Sequence, residues 1–289
     1  MLLSVDTYPF LERFPVETAL HMIKEAGFDA FDFTLCDAPP ERDLLEGDYR
    51  TRAAQVRRIA DGIGIPCNQA HAPYDFTFED TLELSNRNYL RLVRSIEVAS
   101  ILGAKNLIIH AVKNNCPPHV DLFGFNTAFY KSFLPYCEQF GVHISVENLY
   151  IHHANDTYTA ALGSPREHIE FVRGLGSDWF NICVDTGHAS LTGYEPEDMI
   201  SAMDADILQA LHIHDNDYLS DQHLFPYAGG MNWDAITAAL GKIGYRGDFT
   251  FEILGYLRKA DDALLAPALE FAEKIGRCMM EKIQKEKRI

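Results

Sequence analysis

The sequence predicts a single-domain (β/α)8 barrel spanning residues 1–289, and three observations predict it. Short apolar runs alternate eight times with segments of helical period. Several of the helical segments stop on a glycine directly before the next run. No Ser/Gly-rich linker, low-complexity stretch or shift in composition divides the chain. Strands rich in Val, Ile, Phe and Leu that alternate with helices imply βαβ units and a parallel sheet. Eight such units over this length fit a closed barrel. An open doubly wound sheet would usually carry a Gly-rich phosphate loop after its first strand, and none is present.

The runs, in order, are LLSVD at 2–6, AFDFTL at 30–35, IPCNQAH at 65–71, NLIIH at 106–110, VHISVEN at 142–148, FNICVD at 180–185, LQALHIH at 208–214 and DFTFEI at 248–253. Helices are expected between and after them over 16–26, 50–62, 84–102, 127–140, 165–175, 196–203, 232–243 and 260–285. The pairs Ala26-Gly27, Leu102-Gly103, Phe140-Gly141 and Ile243-Gly244 read as helix stops followed at once by a strand.

Composition narrows the function classes. Apolar residues make up 47% of the chain, enough to bury a large core, and no apolar run reaches the roughly 18 residues of a membrane span. The N-terminus MLLSVDTYPF lacks the basic region of a signal peptide, so a cytoplasmic protein with no membrane partner is expected. Six scattered cysteines without a CxxC pair read as reduced thiols. A net charge of −17 repels polyanions and argues against a nucleic-acid partner. The basic end KIQKEKRI reads as a solvated helix terminus. Assembly as a homo-oligomer is left open by the sequence.

The functional signal is a spacing. His71, His110, Glu147 and Asp185 close successive runs at intervals of 39, 37 and 38 residues; His214 follows after 29 and Glu252 after another 38. Active sites of such barrels form at the C-terminal ends of the strands, so residues one βα unit apart converge on the mouth. A lone strand-end histidine is ordinarily a packed or hydrogen-bonded one. A carboxylate in a barrel mouth is costlier, because burial penalises it by several kcal/mol unless it is paired or metal-bound. Imidazole and carboxylate together suit Mn2+, Mg2+, Co2+ or Zn2+. Three carboxylates with one histidine lean toward a harder, octahedral ion, and the further histidines toward zinc or a cluster.

The motifs QAHAP at 69–73, SVEN at 145–148, VDTGH at 184–188, HIHDND at 212–217 and FTFE at 249–252 resemble the sugar isomerase/epimerase-like (xylose isomerase-like) barrels. That superfamily also holds the endonuclease IV type of DNA-repair enzyme. The resemblance runs over nearly the whole chain with the motifs in the expected order. It implies a shared metal site at Glu147, Asp185, His214 and Glu252, with Glu147 and Glu252 also catalytic. It further implies that His71, His110, His188, Asp221 and His223 are additional metal or substrate positions, those that complete the three-zinc cluster of the nuclease branch. His212, one layer below His214, is a packed or a substrate-contacting histidine, and Tyr74 a weaker substrate contact. Asp217 and Trp179 are weaker still, and the pair His152-His153 is expected in a rim loop.

Two chemistries follow. The first is isomerisation or epimerisation of a keto sugar or related polyol-ketone, with proton abstraction alpha to a metal-bound carbonyl, an enediolate, and two glutamates as acid and base. Dehydration of inosose type uses the same enediolate. The second is zinc-dependent phosphodiester hydrolysis, opposed by the charge and by the lack of Arg/Lys-rich loops beyond the strand ends. A barrel that only binds would be expected to lack an acid/base carboxylate, whereas both glutamates are present. Ketohexose 3-epimerases carry an Arg soon after the strand-7 histidine and a second Glu after the strand-5 Glu. Here HDNDYLSDQH and NLYIHH supply neither.

Overall fold

Alternation along each strand decides where its side chains go, since successive residues face opposite sides of a sheet. In the computed structural model, which describes residues 1–36, 42–113, 116–117, 119–154 and 157–287, the chain runs β1 (Leu3–Asp6), α1 (Tyr8–Leu11), α2 (Val16–Glu25), β2 (Ala30–Thr34), α3 (Tyr49–Ile63), β3 (Cys67–His71), α4 (Arg87–Leu102) and β4 (Asn106–Ile109). It continues through α5 (Leu122–Lys131), α6 (Leu134–Phe140), β5 (His143–Glu147), β6 (Leu149–His152), β7 (Tyr158–Ala161), α7 (Pro165–Gly174), β8 (Phe180–Asp185) and α8 (Thr186–Leu191). The last elements are α9 (Pro196–Ser201), β9 (Leu208–His212), α10 (Trp233–Lys242), β10 (Phe249–Phe251), α11 (Leu254–Leu257) and α12 (Asp262–Glu286).

Eight parallel strands pair in the order β10-β1-β2-β3-β4-β5-β8-β9. The remaining seam, β9 to β10, is joined by Ile213 N–H to Thr250 O (2.9 Å) and Glu252 N–H to Ile213 O (3.1 Å), which brings the sheet round into a barrel. The predicted (β/α)8 class is therefore the observed one. Outward positions such as Leu3, Val5, Phe31, Phe33, Ile144, Val146, Phe249 and Phe251 are buried under the helices in one large apolar cluster. Each contributes about 1.5–3 kcal/mol by leaving water. Inward positions are mostly polar: Ser4 bonds Thr250 (2.8 Å), Ser145 bonds Asn181 (2.5 Å), and only Ile108, Cys183 and Ala210 form a small apolar layer of their own. The ligand-type side chains lie above that layer, at the strand ends.

The helix ends follow their caps. Asp48, Asn86, Ser164, Asn232 and Asp261 accept backbone N–H groups at the starts of α3, α4, α7, α10 and α12. Gly103 closes α4 at φ 90, a left-handed conformation in which a Cβ would be strained. One expected helix differs: 127–140 is two helices, α5 and α6. Pro135 near the start of α6 cannot continue the i→i−4 ladder, and Asp121 starts α5 earlier by accepting from Phe123 N–H. The antiparallel hairpin β6–β7 was not foreseen, and it places His152 at a strand end rather than in a loop. No disulfide links the six cysteines, and no helix among the described residues is long and apolar enough to cross a membrane.

Candidate metal centre and active site

Register sets the level of each ligand. Asp185, the last residue of β8, pairs with His212, the last residue of β9, so the two side chains enter the mouth in the same layer. Glu147 ends β5 and Glu252 directly follows β10. One donor atom from each of Glu147, Asp185, His212 and Glu252 lies within 4.8 Å of the others. His212 Nδ1 is 3.1 Å from Glu147 Oε1, 3.6 Å from Glu252 Oε2 and 3.9 Å from Asp185 Oδ2. His214, the expected histidine ligand, stands beside the same carboxylates, with Nε2 4.0 Å from Glu252 Oε2. Same parity carries His214 one step further along the barrel axis, where Nε2 is 3.0 Å from both Asp185 oxygens and its donor groups with Asp221 and His223.

The other expected positions also converge. His110 Nε2 is 2.8 Å from Glu147 Oε2 and 3.1 Å from His71 Nε2. His188 Nδ1 is 3.4 Å from Glu147 Oε1 and its Nε2 3.5 Å from Asp221 Oδ2. Asp221 reaches His223 Nε2 at 3.3 Å, and the His223 ring stacks on His214 with centroids 4.0 Å apart. His223 holds φ 47, an uncommon backbone conformation for a residue other than glycine, sustained by the bond between its Nδ1 and Glu252 O (2.9 Å). Tyr74 stands at the rim, 53% exposed, its ring stacked on His110 at 5.5 Å. Asp217 instead caps its own turn, and Trp179 packs on His143 just before β8, at the opposite end of the barrel.

Several residues that the sequence reading did not single out support this cluster. Asn148 exchanges two hydrogen bonds with the Asp185 backbone, at 2.9 and 2.8 Å, tying β5 to β8 beneath the carboxylate. Asp32 lies 3.5 Å from His212 Nε2 and accepts from Gln69 at 2.7 Å. Asp215 receives Gly229 N–H, Met231 N–H and Trp233 Nε1–H, which holds the loop after β9. Lys113 and Tyr150 enter from the loop after β4 and from β6. Asn148 and Asp215 lie inside the SVEN and HIHDND motifs and Asp32 at an inward position in AFDFTL, whereas Lys113 and Tyr150 carry no such signal.

The electrostatics separate the two glutamates. Burial raises both, but beside Glu147 the charges on His212 and His110 outweigh it and hold the carboxyl well below its usual range. For Glu252, burial prevails over His212 and His223 and pushes the carboxyl up to about 8. Burial also lowers His71 to about 3, while His223, though buried, is carried up to about 10 by Glu252 and Asp221. His212 and His188 are raised well above the ordinary imidazole value, burial being outweighed by the surrounding carboxylates. Among the described residues, the buried Glu252 Oε2, His214 Nδ1 and Asp221 Oδ1 have no hydrogen-bond partner. Orphaned oxygens beside an ion-sized gap are what a divalent cation would satisfy, and two Glu, one Asp and one His form a suitable donor set. A cavity of about 390 Å3 opens over the cluster, with Tyr74, Phe76, Lys113 and Phe129 on its walls.

The sequence profile of the xylose isomerase-like TIM barrels matches residues 20–275, most of the chain. The chain belongs to that family. A protein of Sinorhizobium fredii, y4fM, whose function is uncharacterised, is 28% identical, with 86% of each chain covered. Among solved structures, a D-tagatose 3-epimerase-like protein superposes on this xylose isomerase-like barrel with a TM-score of 0.74 over 99% of each chain, at 18% identity. The IolI protein, solved with a bound zinc atom, does so with 0.74 over 99% of each, at 17% identity. At these identities the superpositions concern the fold.

Proposed function

We propose that this xylose isomerase-like barrel is a divalent-metal-dependent isomerase or epimerase of a keto sugar or related polyol-ketone. One observation carries the reading: two glutamates, Glu147 buried and Glu252 partly so, reach the same ion-sized space from strands separated by β8 and β9. Two carboxylates that meet one substrate from different sides can serve as base and acid. Glu147, Asp185, His212 and Glu252 would hold the ion, which when bound supplies a Lewis acid for the carbonyl and adjacent hydroxyl of the substrate. Mn2+, Zn2+, Mg2+ and Co2+ all suit that donor set.

Glu147, kept as a carboxylate, takes the proton alpha to the carbonyl. Glu252 returns one from another side, which inverts the carbon or moves the carbonyl. His110 Nε2 and His188 Nδ1 stand 2.8 and 3.4 Å from the Glu147 carboxylate oxygens, which orients the base. The rings of His110 and Tyr74 stack at the rim of the cavity. The zinc of IolI and the sugar named in the epimerase-like neighbour agree with this reading. Expulsion of a β-hydroxyl from the same intermediate would make the enzyme a dehydratase.

The group His214, Asp221 and His223 favours a second reading, a multi-zinc phosphodiester hydrolase, because a further ion would fit there. Against it, Lys113 is the single Lys or Arg among the described residues lining the cavity, too few for a phosphate-rich strand. Incubating the metal-loaded protein with keto sugars in D2O, beside an abasic-site DNA substrate, separates the two. Solvent deuterium entering a sugar without DNA cleavage supports the isomerase; cleavage without exchange reverses the ranking.

A further inference from the structure

Lys113 follows β4 and lines the cavity above the ligand cluster. Its Nζ donates to Tyr150 O and lies 4.5 Å from the centroid of the Tyr150 ring. Among the described residues it makes no ion pair, and its one hydrogen bond there is to Tyr150 O. The same Tyr150 ring stands 5.0 Å from His188, and its hydroxyl donates to Asp221 Oδ2 at 3.0 Å. Tyr150 therefore sets the ammonium on the wall beside the ligand cluster, one aromatic ring away from it.

Most of the nearby carboxylate oxygens are engaged elsewhere, and Asp221 Oδ1, without a hydrogen-bond partner, lies 4.0 Å from His214 Nε2. Asp221 is shared by His188, His223 and Tyr150, and Asp185 by His214 and the His188 backbone. Glu147 and Glu252 face the ion space. With a divalent ion in place their charge is compensated, and Lys113 remains a half-buried cation. Such a charge is costly unless something pairs with it. A bound molecule in the cavity is the available partner.

We propose that Lys113 selects a substrate bearing a carboxylate, so that the keto sugar of this site is a sugar acid whose carboxylate pairs with Nζ while its carbonyl end faces Glu147 and Glu252. This rests on the isomerase reading and specifies its substrate class. One ammonium matches one negative charge. With Lys113 the single Lys or Arg among the described lining residues, a phosphoryl dianion would keep one charge unpaired, which argues for a carboxylate.

The test compares D-fructuronate, D-fructose and fructose 6-phosphate by titration calorimetry against protein loaded with Mn2+ and, in parallel, Zn2+. Wild type is expected to bind the uronate about tenfold or more tighter than the neutral ketose, the worth of one charged hydrogen bond. Lys113→Met should bring that ratio close to one, and Lys113→Arg should restore part of it. Equal affinity of wild type for acid and neutral sugar overturns the proposal, as does a preference that survives in Lys113→Met. Tighter binding of the phosphate ester than of either overturns the carboxylate assignment. Weaker metal binding by Lys113→Met with an unchanged ratio would make Lys113 a counter-charge to the ligands and overturn it too. Deuterium exchange is read separately. Exchange into fructose with no preference for the acid keeps the isomerase and defeats this inference; a preference without exchange into either sugar supports Lys113 and defeats the isomerase.

Discussion

Gly187 lies in α8, the short helix that opens under the metal cluster, where alanine would ordinarily stabilise by up to about 1 kcal/mol through helix propensity. Its backbone is not left-handed, so nothing local forbids a side chain. The obstacle is His214. A Cβ built on Gly187 would come 1.9 Å from His214 Cε1 and 2.6 and 2.7 Å from the ring nitrogens. Ordinary contact needs about 3.5 Å or more, so the ring or the helix must move by roughly 1.5 Å. The ring is fully buried, stacked on His223 at 4.0 Å and bonded to Asp185, and it has no open side to turn into. Overpacking of this kind costs about 1–3 kcal/mol, which exceeds the propensity gain. Gly187→Ala should therefore lower Tm by about 2–6 °C in a calorimetric scan of metal-free protein, with loss of the His214–Asp185 contact visible as a changed imidazole signal by NMR. An unchanged or higher Tm with an unperturbed His214 signal would refute the packing argument.

Three other expectations concern protons and metal. Glu147→Gln and Glu252→Gln should each lower turnover about a hundredfold or more while circular dichroism stays unchanged; full activity in both would remove the acid and base assignment. His168, buried with Nε2 bonded to Val146 O (2.9 Å), is lowered by burial to about 4. The unfolded chain then binds the extra proton first, so stability present above about pH 6.5 declines by about 3 kcal/mol as pH falls to 4, then levels. Denaturant midpoints of wild type against His168→Phe read this, and equal pH slopes would contradict it. Metal loading should release protons, since His212 is held charged by the carboxylates around it and must lose its proton to ligate. Apparent affinity should therefore weaken as pH falls, and a pH-independent Kd between 6 and 8 would speak against histidine ligation.

Much of this was legible in the sequence because barrel geometry turns spacing into adjacency. The regular intervals between His71, His110, Glu147 and Asp185, and the 38 residues from His214 to Glu252, bring these six to one mouth. What register adds is how His212 and His214 divide the carboxylates: both have the same parity, and His212, paired with Asp185, reaches Glu147 while His214 reaches the Asp185 oxygens. The split of α5 from α6 was readable at Pro135 in SFLPYC, while the hairpin at 149–161 has no turn signature strong enough to announce it. Lys113 belongs to no motif, and Asn148 lies in one without being a candidate ligand. Their importance comes from what Tyr150 and the Asp185 backbone do around them.

The assignment of the ion to Glu147, Asp185, His212 and Glu252 is open to a direct measurement. His212→Ala and His214→Ala, purified in parallel without chelator and loaded with Mn2+, are compared by elemental analysis and equilibrium dialysis. The geometry predicts that His212→Ala loses the bound equivalent, or weakens it about tenfold or more, whereas His214→Ala keeps it. Retention by His212→Ala together with loss in His214→Ala would contradict the arrangement and return the ligand role to His214.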